Sequence, residues 1–198
     1  LAPTKKILLN QDGCLVYYKD FISKDESTIA SNALRDEAAW NSDVLKLFGK
    51  TIVTRRKVAF QGDDGIHYTY SGFRKNASTW TPEVKKIKHA IEQLTGYSFN
   101  SCLLNLYHNG TEGMGWHSDN EKEMMPRACI ASVSLGAERT MAFRHKQKTE
   151  SYKFQLETGS LLLMEGAIQE YWQHSLPIRK KVLEPRINLT FRSIILQP

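Results

Sequence analysis

The chain has 198 residues, 41% hydrophobic and 24% charged, a globular composition that excludes wholesale disorder. Lys and Arg number 27 against 21 Asp and Glu, a formal charge of +6 that pulls weakly towards an anionic partner. The length is that of one domain, and no apolar run approaches the roughly 18 residues of a membrane span.

Three widely spaced cysteines, Cys14, Cys102 and Cys129, offer neither a disulfide framework nor a Cys-based zinc site. The sequence opens at Leu1 with no signal-peptide pattern. That predicts an intracellular monomer trimmed at its start, cytoplasmic if bacterial and nuclear if eukaryotic.

In chain order, two helical patterns come first. Ser23-Lys24-Asp25-Glu26 has capping-box spacing and leads into a stripe of Ile29, Ala30, Ala33 and Leu34. Thr81-Pro82 puts a cap residue before a proline at the first helical position. Val84, Ile87, Ile91 and Leu94 follow on one face, and Gly96 stops the helix. The second half is strand-rich: 103–107, 130–135, 140–143, 152–156, 160–164 and 187–195 are short runs punctuated by Gly, Pro or charge. Helices first and many short strands after predict an α+β chain whose β part is a sandwich or barrel.

The chemistry-bearing residues fall in the strand-rich half. Gly115-Trp116-His117-Ser118-Asp119 places an imidazole and a carboxylate two positions apart, hence on one face of an extended segment. His174 in Trp172-Gln173-His174-Ser175 is the best third ligand. Two histidines and a carboxylate on one side of a metal form the facial triad of non-haem Fe(II) oxygenases, although a lone His-x-Asp is more often a loop hydrogen bond. Further on, Arg186-Ile187-Asn188-Leu189-Thr190-Phe191-Arg192 alternates a polar face of Arg186, Asn188, Thr190 and Arg192 with an apolar one of Ile187, Leu189 and Phe191. The polar face either lies in water or presents arginine forks to a dicarboxylate. His-x-Asp, a distant His and an Arg strand, in that order, favour the second reading.

With Asn105-Leu106-Tyr107, with His174-Ser175-Leu176-Pro177 followed by Arg179-Lys180-Lys181, and with Pro185 leading into the Arg strand, residues 47–194 resemble the AlkB family. Those proteins are Fe(II)- and 2-oxoglutarate-dependent dioxygenases that reverse alkylation damage in nucleic acids. Phe48-Gly49-Lys50, Arg55-Arg56-Lys57 and Tyr68-Thr69-Tyr70-Ser71-Gly72 look closest to the branch that repairs double-stranded DNA. That branch usually has Asp-Asp-Glu after the first histidine, where this chain has Asp119-Asn120-Glu121.

The resemblance implies a double-stranded β-helix, or jelly roll, with supporting helices, as one domain over 1–198. Helices and a nucleotide-recognition region would occupy about 1–100, and the catalytic core about 101–198. His117, Asp119 and His174 would hold Fe(II). Arg186 would anchor 2-oxoglutarate, with Asn105, Tyr107, Asn188, Thr190 and Arg192 completing its pocket. The implied reaction consumes O2 and 2-oxoglutarate and oxidises N-methyl groups on bases of the 1-methyladenine and 3-methylcytosine type. It releases formaldehyde, succinate and CO2.

A methyl on a paired base is reached only by flipping the nucleotide out, and an apolar wedge fills the gap. The resemblance assigns that wedge to Phe48 with Gly49, flanked by Lys50, where the residues alone suggest a hairpin tip folded on the core. Arg55, Arg56 and Lys57 would grip phosphate, and Tyr68 and Tyr70 would border the extruded base. Glu121, beside Asn120, would suit a cationic lesion. Arg139, Arg144, His145, Lys146 and Lys148 form a basic segment that could meet the undamaged strand. The partner is then alkylated DNA, in duplex form or as a single strand. The rivals are an RNA demethylase, another 2-oxoglutarate oxygenase, and a silent jelly-roll module that binds nucleic acid.

Overall fold

A computed structural model describes residues 3–47, 50–70 and 73–195. The first half contains β1 (Thr4–Asn10), β2 (Cys14–Lys19), α1 (Lys24–Glu37), β3 (Asn41–Leu47), β4 (Lys50–Gly62), β5 (His67–Tyr70), β6 (Phe73–Asn76) and α2 (Pro82–Thr95). The second half contains β7 (Ser101–Tyr107), β8 (Met114–His117), β9 (Ile130–Gly136), β10 (Arg139–His145), β11 (Ser151–Leu156) and β12 (Ser160–Glu165). It ends with α3 (Ile168–Tyr171), β13 (Trp172–Leu176) and β14 (Arg186–Arg192).

Eight strands form one antiparallel sheet in the order β1-β2-β12-β9-β14-β7-β4-β3, and four form a second in the order β11-β10-β13-β8. Strand alternation then sorts side chains into two layers. One face of the large sheet sends Val16, Tyr18, Leu104, Val133, Leu161, Leu163, Ile187, Leu189 and Phe191 against the helices. Its other face meets the small sheet: Leu15, Tyr17, Leu162 and Met164 pack with Phe143, Leu156 and Trp172. The result is the expected jelly roll backed by helices. At the β9-β14-β7-β4 end of the large sheet this inner face turns polar, and there the site lies.

The helix signals act as their chemistry dictates. The Ser23 hydroxyl accepts from the Glu26 amide at 3.3 Å while the Glu26 carboxylate accepts from the Ser23 amide at 3.2 Å, a reciprocal cap. Gly96 ends α2 in the left-handed region at φ 76°. The Thr81 side chain makes no cap bond; its hydroxyl and amide turn to the Gln61 side-chain oxygen instead.

Two expectations need correction. The buried stripe of α1 is Ser27, Ala30, Ser31 and Leu34, whereas Ile29 is 65% exposed, because α1 is turned to let Ser27 bond Thr158 at 2.7 Å. Leu94 likewise faces solvent, at 38% exposure, while Val84, Ile87 and Ile91 are buried. Strands β1 to β4 from the first half are hydrogen-bonded into the same sheet as the second-half strands.

Leu34→Ala should therefore cost about 2–5 kcal/mol, and Ile29→Ala should stay within about 0.5 kcal/mol of wild type. Urea denaturation measures both. Comparable losses would mean that the helix buries the stripe read from periodicity.

Candidate metal centre and cosubstrate pocket

His117 ends β8 and lies opposite His174 of β13 in the ladder, so the pairing of two short strands brings the imidazoles together, with ring centroids 4.2 Å apart and ring planes tilted by 58°. Asp119 follows two residues after His117, its backbone amide donating to the Gln169 side-chain oxygen at 2.9 Å. One ligand atom from each of His117, Asp119 and His174 lies within 4.8 Å of the others. No other set of three or more such side chains comes this close among the described residues. His117 Nδ1 lies 2.9 Å from the Gly115 carbonyl oxygen; donating there leaves Nε2, 3.6 Å from Asp119 Oδ1, as the free ligand nitrogen.

The second carboxylate oxygen of Asp119 is held by Arg192, through Nε at 3.2 Å and a terminal nitrogen at 2.8 Å. Burial alone would raise the Asp119 pKa. The Arg192 guanidinium outweighs that and keeps the carboxyl well below its usual range. Burial, reinforced by His117, pushes His174 down to about 3, so its ring is neutral, as a metal ligand must be.

Strand β14 supplies the other wall. It is buried along its whole length, so the solvated reading of its polar face falls. Arg186, Asn188, Thr190 and Arg192 line one pocket with His117, Asp119 and His174, together with Asn105 and Tyr107 of β7. The pocket holds about 70 Å³. Thr190 donates to the Asn188 side-chain oxygen at 3.0 Å, and Asn188 donates to Ser132 Oγ at 2.8 Å and to the Val133 carbonyl at 2.9 Å, which locks the amide orientation.

Arg186 is 3% exposed and bonds Ser134 Oγ at 2.9 Å, its charge lying 5.7 Å from the centre of the Tyr107 ring. Its Nε has no partner and no carboxylate faces it among the described residues. Burial pushes its pKa down to about 10. A desolvated guanidinium without an anion is costly, and a bound carboxylate would relieve it. The donor set therefore fits both groups: two imidazoles and one carboxylate for a divalent metal with open positions, and an unmatched buried fork for a dicarboxylate.

The base-facing residues are placed less uniformly. Tyr68 is 2% exposed and packs edge-on against Phe60 at 4.7 Å, lining the pocket. Glu121 also lines it, with one carboxylate oxygen unpartnered among the described residues and a pKa raised by burial. Asn120 is exposed and borders an adjoining cavity. Phe48 and Gly49 lie outside the described residues, between paired Leu47 and Lys50, and the Lys50 and Tyr70 side chains are also outside them.

The phosphate-grip reading of Arg56 is corrected. Arg56 is 4% exposed, bonded to Asp43 at 2.7 Å and to the Asn105 side-chain oxygen, and only Arg55 is fully at the surface. In the basic segment, Arg139 and His145 are buried. Arg144 is exposed beside Trp116, its charge 4.5 Å from that ring.

Sequence reading missed Asp43 and Lys75, which pair at 2.5 Å on the same pocket wall, and Ser132. Ser132 and Ser134 did carry a signal: two serines two apart inside an apolar strand mark a polar face.

Residues 14–192 match the family described as the 2OG-Fe(II) oxygenase superfamily. The chain belongs to that superfamily. Within it, the chain is an AlkB-family oxygenase. It is 38% identical to "DNA oxidative demethylase ALKBH2" of Mus musculus over 94% of this chain and 83% of that protein. It is 35% identical to "Alpha-ketoglutarate-dependent dioxygenase alkB homolog 3" of Homo sapiens over 91% of this chain and 66% of that one. Among solved structures, "The structure of OsALKBH1" superposes with a TM-score of 0.65 at 18% identity, covering 95% of this chain and all of that one, a likeness of fold. As a member of this oxygenase superfamily the chain uses Fe(II), 2-oxoglutarate and O2, and the His117-Asp119-His174 triangle fits the iron.

The three ligands are not structurally equivalent, because Asp119 also neutralises buried Arg192. Arg192→Met should lower the stability of the metal-free protein by about 3–5 kcal/mol, and Asp119→Ala by a similar amount, since each strands a buried charge. His117→Ala, at a partly exposed ring, should cost only about 1 kcal/mol. Chemical denaturation in the presence of a chelator decides. Equal small losses in all three would mean that the Arg192 pair contributes nothing.

Proposed function

We propose that this chain is a DNA oxidative demethylase acting on N-alkylated bases of the 1-methyladenine and 3-methylcytosine type. One observation carries the reading: the metal triad and the unmatched Arg186 guanidinium open into one pocket, whose remaining wall holds Tyr68 and Glu121. The similarity to proteins named as DNA oxidative demethylases supports DNA as the substrate. When bound, iron with 2-oxoglutarate and O2 supplies the oxidation of the N-methyl group, which leaves as formaldehyde while the cosubstrate becomes succinate and CO2.

The chain's own residues bind and orient. His117, Asp119 and His174 hold the metal, and Arg192 fixes the Asp119 carboxylate so that one oxygen stays directed to it. Arg186 takes a cosubstrate carboxylate, and Asn105, Tyr107, Asn188 and Thr190 shape the cavity around it. Arg56, tied to Asn105, supports that wall, a different part from the phosphate contact expected of it. Glu121 offers an unpartnered acceptor to a cationic base, and Tyr68 closes the pocket beside it. Phe48 with Gly49 and Lys50, and Tyr70, serve base extrusion, while Arg55, Arg144, Lys146 and Lys148 contact phosphates.

The deciding experiment is formaldehyde release from matched single- and double-stranded methylated oligonucleotides. Release from both, with wild-type dependence on 2-oxoglutarate, is expected. Turnover on methylated RNA alone would move the substrate to that class, and nucleic-acid binding without formaldehyde would make the chain a silent module.

Two variants extend it. Arg186→Ala should raise the 2-oxoglutarate requirement by a factor equivalent to about 2–5 kcal/mol, with Arg186→Lys recovering only part because an ammonium lacks the bidentate fork. An unchanged requirement in both would remove Arg186 from the cosubstrate site. Phe48→Ala should depress duplex repair far more than single-strand repair, since only the duplex imposes an unstacking penalty. Equal losses on both substrates with a large fall in melting temperature would make Phe48 a core residue.

A further inference from the structure

Arg139 opens β10 and is 1% exposed, one of the largest fully buried side chains of the protein. An arginine this deep normally meets a carboxylate, yet none pairs with it among the described residues. One terminal nitrogen donates to two backbone carbonyls, that of Glu112 at 2.9 Å and that of Pro177 at 2.8 Å, and Nε has no partner. Those carbonyls lie just before β8 and just after β13, where Leu176 stands opposite Met114. Arg139 therefore closes the end of the two-strand ribbon that carries His117 and His174. Its place is crowded and fixed: a Cβ on Gly113 would come within 2.4 Å of the Leu176 carbonyl oxygen.

The guanidinium carbon of Arg139 lies 5.9 Å from the centre of the Tyr107 ring, and that of Arg186 lies 5.7 Å from the same ring. Tyr107 and Arg186 line the pocket and Arg139 does not. Two buried cations thus share one aromatic ring; the Glu112 carboxylate acts on Arg139 without pairing with it, and no carboxylate pairs with Arg186 among the described residues. The two desolvated like charges repel each other, and a dianion bound beside Arg186 would relieve both.

We propose that Arg139 is a positioning residue for the dicarboxylate cosubstrate, pinned by two carbonyls so that its charge stands behind Tyr107 and adds to that of Arg186. The inference rests on Arg186 being the carboxylate anchor. Acting through Tyr107 and at a distance, Arg139 contributes binding without contacting the ligand. An arginine kept only for packing would contribute stability alone.

The test is calorimetric titration of 2-oxoglutarate into the full chain loaded with Mn(II), where no turnover occurs, alongside Mn(II) affinity without cosubstrate and the melting temperature. Arg139→Met should weaken 2-oxoglutarate binding about tenfold or more while Mn(II) affinity stays within about threefold of wild type. Arg139→Lys, which keeps the charge and loses the two-carbonyl pin, should fall between them. Should the methionine variant fail to fold, Arg139→Gln, uncharged but able to bond one carbonyl, takes its place with the same expectation.

Wild-type 2-oxoglutarate affinity in the uncharged variant, with only a lower melting temperature, would overturn the inference. So would a loss of Mn(II) affinity as large as the cosubstrate loss. Arg186→Ala in the same titration separates the two readings. If it loses 2-oxoglutarate while the Arg139 variants do not, the anchor stands and the inference about Arg139 falls. If it retains 2-oxoglutarate affinity, the anchor and the inference resting on it both fall.

Discussion

The structure depends on one constraint: β14 is buried on both faces, and its side chains must alternate. Ile187, Leu189 and Phe191 have to enter the helix-backed core, so Arg186, Asn188, Thr190 and Arg192 have to enter the gap between the sheets. A slip of one residue would exchange the two sets, placing two guanidiniums in the main core, and that penalty specifies the register. Pairing with β7 and β9 then aligns the strand with its polar neighbours, Arg186 opposite Tyr107, Asn188 opposite Asn105 and Ser134, Thr190 opposite Ser132. Helix packing on one side of the sheet thus decides where the pocket lies on the other.

Burying so much charge is tolerated because most of it is matched locally. Asp119 meets Arg192, and Asp43 meets both Arg56 and Lys75. Each pair also performs an orienting task. Arg192 occupies one oxygen of Asp119, and Asp43 holds Arg56 against Asn105. Some polar atoms stay unmatched at the pocket, Nε of Arg186 and one carboxylate oxygen of Glu121, and Nε of Arg139 stays unmatched behind Tyr107. Charge left unsatisfied by the protein is the clearest imprint of what it binds.

Much of this was legible because it is periodic or local. The capping box, the proline and glycine that bound α2, and the alternation of β14 follow from nearest-neighbour chemistry and emerge as read. The triad was legible from spacing on one strand plus a distant histidine, since β8 and β13 bring His117 and His174 opposite each other. Of the first-half strands, the sequence marks only a hairpin tip near Phe48 and a tyrosine-bearing stretch at 68–70. β4 carries Arg55, Arg56 and Lys57 in its middle, which looks like a solvated face until Asp43, on the neighbouring strand, takes Arg56 inward. A pairing between strands has no signature within either one. The orientation of α1 was misread for a related reason: two serines look polar in sequence, and only contact with Thr158 shows that they face inward.

The two ends of the pocket carry opposite electrostatic demands, and the sheet order produces the difference. Strands β14 and β7 present Arg186 and Tyr107 at one end, backed by Arg139 at the start of β10, so that end attracts a dianion. The segment after β8 brings Asp119 and Glu121, and Glu121 lies outside any ion pair among the described residues. On the proposed function, that end would attract positive charge, first the metal and then a base that alkylation has made cationic. Alkylation at a Watson–Crick nitrogen turns a neutral base into a cation, so the unmatched carboxylate would favour the damaged base over the intact one through charge as well as shape. An intact neutral base would lack that charge attraction and, being properly paired, would pay a larger extrusion penalty. Discrimination of the lesion and retention of the cosubstrate would then share one physical origin, the buried charges left without a close ion-pair partner among the described residues.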